Sequence, residues 1–514
     1  MFKLLNDTFI INEIIGTNAT EAILESDISI SDDMPNIEKI ISTEGKIKIN
    51  SISPAANKAT IKGELVYNII YRSNDEEVSV CSMSGKIPFT EEIQIQGAKE
   101  NMETRADSYI DYIDSEMNTE REFKIKAVAN LDVEVINKHP VDFISSLESD
   151  GSFQAKSKNI KYTDVVSQLS ENINVSDAVE INKNSNEIAK ILKADTDIYV
   201  TNIDVMNERM LVEGICKVGF LYTENNNLSS TGYAAEEFPF THYIELKRTN
   251  EDMPREINIT LNDLTYSVEQ NYENEQKIIS FNAAFNVDAK LYGTLEKNII
   301  TDGYSTESQI EISSETINLA STKNIKEIST KYENNFDITT GTIKDIYSVD
   351  ISPKISEKRI VEDKYIIDGF LDTNLLYLNG DVNKIDRAYA SMPFTAAIDL
   401  DEDEKNCDLT SDIKINKCNV YRKSNSSVNA SCDIKIVMKA KDTDEISIIS
   451  NITEVGPLDY NKMPSLIFRV VQQGENIWDI AKNYNVSINY LKQLNELTDE
   501  VLVPGSKIII ARRV

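Results

Sequence analysis

The stretch FKIKAVANLDVEV, residues 123–135, alternates apolar and polar side chains almost without a break. Phe123, Ile125, Ala127, Ala129, Leu131, Val133 and Val135 fall on one side, and a period of two is the mark of a strand with one buried face. The pattern returns at Phe281, Ala283, Phe285, Val287 and Ala289, and again at Ile434, Ile436, Met438 and Ala440. The chain therefore reads as mainly β, and the stretch as one copy of something repeated.

Counting outward confirms the repeat. IEKI (Ile37 to Ile40) leads to Gly63, Tyr71 and the Phe89 of a PFT; IAKI (Ile188 to Ile191) leads to Gly214, Tyr222 and Phe240; IKDI (Ile343 to Ile346) leads to Gly369, Tyr377 and Phe394. Ile to Gly is 26 positions in each copy, Gly to Tyr is 8, and Tyr to Phe is 18, 18 and 17. A Gly followed by β-branched and aromatic residues reads as a strand with a bulge or a close backbone approach. The shared Tyr and Phe read as core, because aromatics at strand spacing fill interiors. Polar stretches at 145–159 and 296–308 separate the copies, which places three sandwich-like β units at 1–144, 160–300 and 308–456 and a last domain at 466–511. With 514 residues, several domains are expected, since one core serves roughly 100 to 200.

This spacing resembles the SPOCS domain, a repeat of spore-coat assembly proteins in endospore-forming bacteria. The resemblance spans nearly all of residues 1–456 and rests on three copies in register.

The last fifty residues differ. FRVVQQG ends a strand at Gly474; Asn476 is the N-cap of a helix with Asp479 at its third position, and Ile477, Ile480, Ala481 and Tyr484 form its apolar stripe. Ser487 caps a second helix, with Val486 and Leu491 as a hydrophobic staple and Ile488, Leu491 and Leu494 facing inward. Pro504-Gly505 turns the chain into the strand KIIIA. The order is βααβ. Together with Val471, Trp478, Asn495 and Ile508, these residues resemble the LysM domain. That resemblance implies a shallow glycan groove between the loops 474–477 and 497–504, with Gly474, Glu475, Asn476, Leu497, Val503 and Pro504 as candidates. Two departures weaken a sugar site: the family's Gly-Asp-Thr is Gly474-Glu475-Asn476, which lacks a hydroxyl, and ARRV replaces the closing proline. Trp478, the only tryptophan, either packs on its own helix or meets a protein partner, as indoles at interfaces do.

Composition narrows the function. The net charge of -32 argues against nucleic acid and anionic lipid. Residues 466–514 carry six Lys or Arg against five Asp or Glu, leaving 47 against 80 for the rest, so the body alone is acidic. Five scattered cysteines without a C-x-x-C pair read as ordinary thiols in a reducing compartment. MFKLLNDTFIINEIIG has no basic region or cleavage site, and no apolar run approaches the roughly 20 residues of a membrane span. His139, before Pro140, reads as a loop residue; His242 follows a PFT; neither joins a triad or a metal spacing. The run 399–408, DLDEDEKNCD, reads as a solvated acidic loop. Neither an enzyme, a cofactor nor a metal is expected.

Repeats plus a terminal LysM domain resemble the spore-coat morphogenetic proteins. The resemblance implies a non-catalytic scaffold in the mother-cell cytoplasm that assembles on the forespore surface, docks on stage IV sporulation protein A, the coat-basement ATPase, and links it to other coat proteins. Trp478, Ile477 and Asp479, then Leu466 and Ile467, are the expected partner-binding residues. The alternative is a carbohydrate-binding module that tethers the chain to peptidoglycan or cortex N-acetylglucosamine glycan.

Overall fold

In the computed structural model, residues 123–135 form the first half of β6 (Glu122–Glu148), and the seven apolar residues of the alternation are at most 2% exposed. β6 is the middle of an antiparallel sheet between β1 (Lys3–Ser29) and β5 (Glu103–Thr119). A meander of β2 (Ile37–Ala55), β3 (Lys58–Ser73) and β4 (Val80–Gln94) packs over it, and Ala22, Leu24 and Phe123 of one sheet share a core with Leu65, Tyr67 and Phe89 of the other. The structure describes residues 3–75, 78–148, 152–206, 208–225, 227–246, 253–339, 341–459, 464–499 and 501–511.

The sandwich is built twice more. The second comprises β7 (Phe153–Glu180), β8 (Ile188–Met206), β9 (Arg209–Glu224), β10 (Asn227–Glu245), β11 (Arg255–Gln270) and β12 (Gln276–Ser305), in sheets β11-β12-β7 and β10-β9-β8. The third comprises β13 (Ser308–Asp337), β14 (Ile343–Val361), β15 (Lys364–Asn379), β16 (Lys384–Asp399), β17 (Asp408–Arg422) and β18 (Ser427–Pro457), in sheets β13-β18-β17 and β14-β15-β16. A short terminal domain follows: β19 (Leu466–Val470), α1 (Ile477–Asn483), α2 (Ile488–Leu494) and β20 (Lys507–Ala511).

The repeated Gly and Phe are one packing device. Gly63, Gly214 and Gly369 stand opposite Phe89, Phe240 and Phe394 in the cross-strand register. Each ring covers its glycine, so that an added Cβ would lie 2.6, 2.6 and 2.5 Å from ring carbons. On the other flank the neighbouring strand bulges at the same level, between Ile49 and Ser51, Val200 and Asn202, and Ile355 and Glu357. Tyr71, Tyr222 and Tyr377 are buried, as core residues should be.

The three sandwiches close on one another with approximate threefold symmetry. Ile41, Leu192 and Tyr347, each four places after its repeat's leading Ile, meet in one cluster with Ile70, Leu221 and Leu376. A second shared core joins Phe9, Ile11 and Phe143 to Ile160, Tyr162 and Ile299 and to Ile317, Leu319 and Ile448. These residues lie in the outer halves of the long strands, so each long strand lines its own sandwich with one half and a common core with the other. Polar ties link all three pairs: Lys193 Nζ to Glu44 at 2.7 Å and Lys297 to Asp7 at 2.7 Å; the Tyr347 hydroxyl donating to the Thr231 carbonyl at 2.8 Å; and Arg72 donating to the Ile385 carbonyl at 3.1 Å.

Lys193 is the most buried of these ties. Its side chain is 5% exposed and also reaches Asp195 at 3.2 Å and the Ser348 hydroxyl at 2.9 Å. The equivalent positions in the other units are Ser42 and Ser348. Burial alone would push the ammonium down, but Glu44 and Asp195 outweigh it and hold Lys193 charged, its pKa raised.

Several readings change. The polar stretches 145–159 and 296–308 are crossed by strands, with β6 running to Glu148, β7 starting at Phe153 and β12 reaching Ser305, because their outer halves serve the shared cores. His139 lies within β6 opposite Ile11; pairing with β5 ends at Ile136, and Pro140 is tolerated beyond it. Cys418 and Cys432 are not free thiols: they are cross-strand partners with Cα atoms 4.2 Å apart, and a disulfide joins them. The acidic run is a built turn, in which Glu404 is 1% exposed and bonds Lys326 at 2.6 Å and Asn324 at 2.8 Å. Among the described residues no helix is long and apolar enough to cross a membrane, and no group of His, Cys, Asp and Glu is placed to hold a metal ion.

Candidate functional site

The terminal domain takes its shape from its caps. Asn476 accepts the Asp479 N–H at 2.9 Å, and the Asp479 carboxylate returns to the Asn476 side-chain amide at 2.7 Å, closing the turn through side chains. Ser487 accepts the Tyr490 N–H at 3.2 Å, and Val486 and Leu491 are both buried. Asn495 fastens α2 to β20 through both halves of its amide, donating to the Ile509 carbonyl and accepting its N–H. Ile477, Ile480 and Ala481 pack with Val471, Ile508 and Ile510 in the domain's core, which Tyr304 of the body also enters.

Beside the two loops expected to form a groove, the Val471 backbone pairs with Gly505 at 2.8 Å and Ser506 at 2.9 Å. Gly474 has φ of 87°, and a Cβ there would meet nothing within 4 Å, so backbone conformation alone asks for glycine. The polar groups of the first loop are engaged internally. Glu475 is bonded by the Arg469 guanidinium and by the Gln472 N–H at 2.8 Å, and these bonds hold its carboxyl below the usual range. Asn476 is occupied by its cap. On the second loop Leu497 is half-buried, while Val503 and Pro504 are exposed. Of the departures noted, the ARRV ending lies outside the described residues after Ala511.

The expected partner residues fall in different places. Ile477 is 2% exposed and supports the surface from beneath; Asp479 is exposed; Ile467 is half-buried against the domain's core. Leu466 is exposed, and alternation along β19 puts Phe468, at 68% exposure, and Val470 on the same face. Phe468 was missed by the sequence reading, although the spacing Leu466, Phe468, Val470 on a strand backed by helices on its other face was a usable signal.

Trp478 is half-buried, and its contact comes from far upstream. Its Nε1–H donates to Asp302 Oδ2 at 2.8 Å, while Lys482 Nζ donates to Asp302 Oδ1 at 2.6 Å. The Tyr304 ring meets the indole edge-on at 5.2 Å between centroids, and its hydroxyl donates to the Val486 carbonyl at 2.8 Å. Asn485 donates to the Ser305 carbonyl at 2.9 Å. The end of β12 thus seats the terminal domain. No local pattern announced Asp302 and Tyr304, which lie about 175 residues from the helix they hold.

Three stretches, 36–118, 187–269 and 342–422, match the SipL, SPOCS domain family, and residues 470–511 match the LysM domain. The SPOCS matches correspond to β2–β5, β8–β11 and β14–β17, leaving the long strands of the shared core outside. No curated protein and no solved structure matches the chain.

Proposed function

The chain belongs to the SipL family, with three SPOCS domains and a LysM domain, and from that membership we propose that it is a non-catalytic scaffold of spore-coat assembly that docks through its LysM domain on stage IV sporulation protein A at the forespore surface. In this reading the division 1–144, 160–300, 308–456 and 466–511 separates a rigid body from its docking module, and the body offers surfaces to other coat proteins. The observation that carries it is the character of the LysM surface: the loop that would read a sugar has its polar groups satisfied internally, whereas β19 exposes Leu466, Phe468 and Val470. An apolar strand face favours a protein partner, because sugar recognition needs free, placed polar groups. Leu466, Phe468 and Trp478 are the contact residues, with Ile477, Ile467 and Asp479 setting their positions.

The second reading, a tether to peptidoglycan or cortex glycan, is favoured by the LysM match itself. Co-sedimentation with peptidoglycan sacculi and co-purification with stage IV sporulation protein A separate the two. The full-length chain is expected to be captured by the protein and to stay in the supernatant with sacculi. Retention by sacculi alone would turn the reading to the glycan tether.

A further inference from the structure

Three equivalent strand ends converge on one another, and among the described residues it is the second unit's that seats the LysM domain. Ile144, Ile300 and Ile449 occupy the same place in their units and meet in one cluster. Two residues on come Ser146, Asp302 and Asn451; four residues on come Glu148, Tyr304 and Thr453. Asp302 and Tyr304 are therefore departures from the repeat at the positions that touch α1, while the repeat's framework is kept. The register shift between Ile300 and Asp302 recurs between Ile144 and Ser146 and between Ile449 and Asn451, so the bulge belongs to the shared framework and only the side chains differ. The receiving side is matched to a carboxylate: an indole N–H and an ammonium converge on its two oxygens, and an aromatic ring two residues along lies against the indole.

We propose that the α1 face bearing Trp478 and Lys482 is a carboxylate-reading protein-docking surface, held shut in the free chain by Asp302, and that a partner reaches it by presenting an acidic residue beside an aromatic one in place of Asp302 and Tyr304. This rests on the LysM domain docking a protein and adds what that protein must offer. The seat is one strand end against α1 and the loop after it, a single buried ring, Tyr304, with hydrogen bonds around it, so a partner that offers the same pair of groups can take its place, as nothing can in the shared apolar cores of the body. The body's own surplus of carboxylates does not compete, because the site asks for a carboxylate and a ring at the fixed spacing of a strand.

The single tryptophan makes the latch directly readable. In the full-length chain, Asp302→Ala and the near-isosteric Asp302→Asn should red-shift Trp478 emission and increase its quenching by acrylamide, with the opening equilibrium moved roughly tenfold or more by the loss of charge-assisted bonds. Ser146→Ala, at the equivalent end of the first unit, should change nothing. Adding the peptide spanning residues 300–307 to the Asp302→Ala chain, up to about 10 mM to match the effective concentration of a tethered contact, should restore the protected emission. The same peptide with Asn for Asp should not. Unchanged quenching in both Asp302 variants, or equal rescue by the two peptides, overturns the proposal. Capture of a coat protein should be several-fold tighter for Asp302→Ala than for the parent; equal capture also overturns it. Failure of every chain to bind any coat protein removes the docking reading, while a response of the tryptophan to Asp302 alone shows a seat that is structural only and removes the proposal with it.

Discussion

The two junctions of this chain are built differently. Sandwich meets sandwich through three shared apolar cores and a buried ammonium, whereas the LysM domain meets the body through one aspartate, one buried tyrosine and two backbone carbonyls. Apolar burial at the first junction is cooperative and non-directional, so the three units hold as one piece. Hydrogen bonds at the second can be exchanged for equivalent bonds with a partner or with water, each at a net difference of about 1 kcal/mol. A scaffold needs both: a body whose surfaces keep fixed relations, and a docking module that can be redirected.

The largest expected effect breaks the first junction. Lys193→Ala leaves Glu44 and Asp195 facing each other without their cation, and removal of one partner from a buried ion pair costs about 3–5 kcal/mol. Urea unfolding should show this loss. A change within experimental error would mean that the apolar clusters alone close the body. The symmetry sharpens the test, because Ser42→Ala at an equivalent position removes no charge and should cost far less.

Glycines divide along the same line. Gly369 is required for space: a Cβ would lie 2.2 Å from the Lys354 carbonyl and 2.5 Å from the Phe394 ring, and overpacking of this kind costs about 1–3 kcal/mol. Gly474 is required for its φ, with open space around it, so Gly474→Ala should cost about 1–2 kcal/mol through backbone strain alone. The difference is measurable through relief: Phe394→Ala should recover part of the Gly369→Ala loss in a double-mutant cycle, whereas no neighbouring truncation should relieve Gly474→Ala.

What the sequence disclosed follows from range. Alternation at 123–135, the Gly to Phe spacing and the caps Asn476 and Ser487 are local patterns, and each appears in the structure where the residues placed it. Closure of the three units was hidden because the residues that perform it, such as Ile41, Leu192 and Tyr347, look like ordinary strand residues within their own copies. Cys418 and Cys432 were misread for a related reason: spacing alone does not reveal that two strands place them opposite each other. The candidate site was half legible. Its helix and indole were visible, but the carboxylate that covers them belongs to another repeat.

The exposed and covered faces of the LysM domain predict different responses. Phe468 touches little of its own domain, so Phe468→Ser should change stability by no more than about 0.5 kcal/mol. Its effect on partner capture should be large, about tenfold or more, if it is the aromatic anchor of the docking face. Trp478→Phe keeps most of the ring but removes the N–H that Asp302 and, in the proposed complex, the partner's carboxylate accept from, so it should loosen the seat and weaken capture together. Equal affinity for the parent and Phe468→Ser chains, measured by titration calorimetry, would move the docking face away from β19.

The smallest effect is on pH. Burial raises the Asp302 carboxyl, but hydrogen bonds from Lys482, Trp478 and the Gly303 N–H outweigh it, and the group sits below its ordinary value of 3.8. A depressed carboxylate contributes stability that is fully present above the unfolded value and is lost as pH falls through the folded one. Trp478 emission should therefore stay constant from neutrality to about pH 4 and shift only in more acid solution. Glu475, also held low, is bonded by Arg469 and the Gln472 N–H, whereas the indole N–H goes to Asp302, so its titration should leave this signal unmoved. Asp302→Asn should lack the transition wherever circular dichroism shows the β body still folded. An identical acid shift in parent and variant would place control of the LysM seat in another carboxylate and shrink the contrast between the two junctions to one of size.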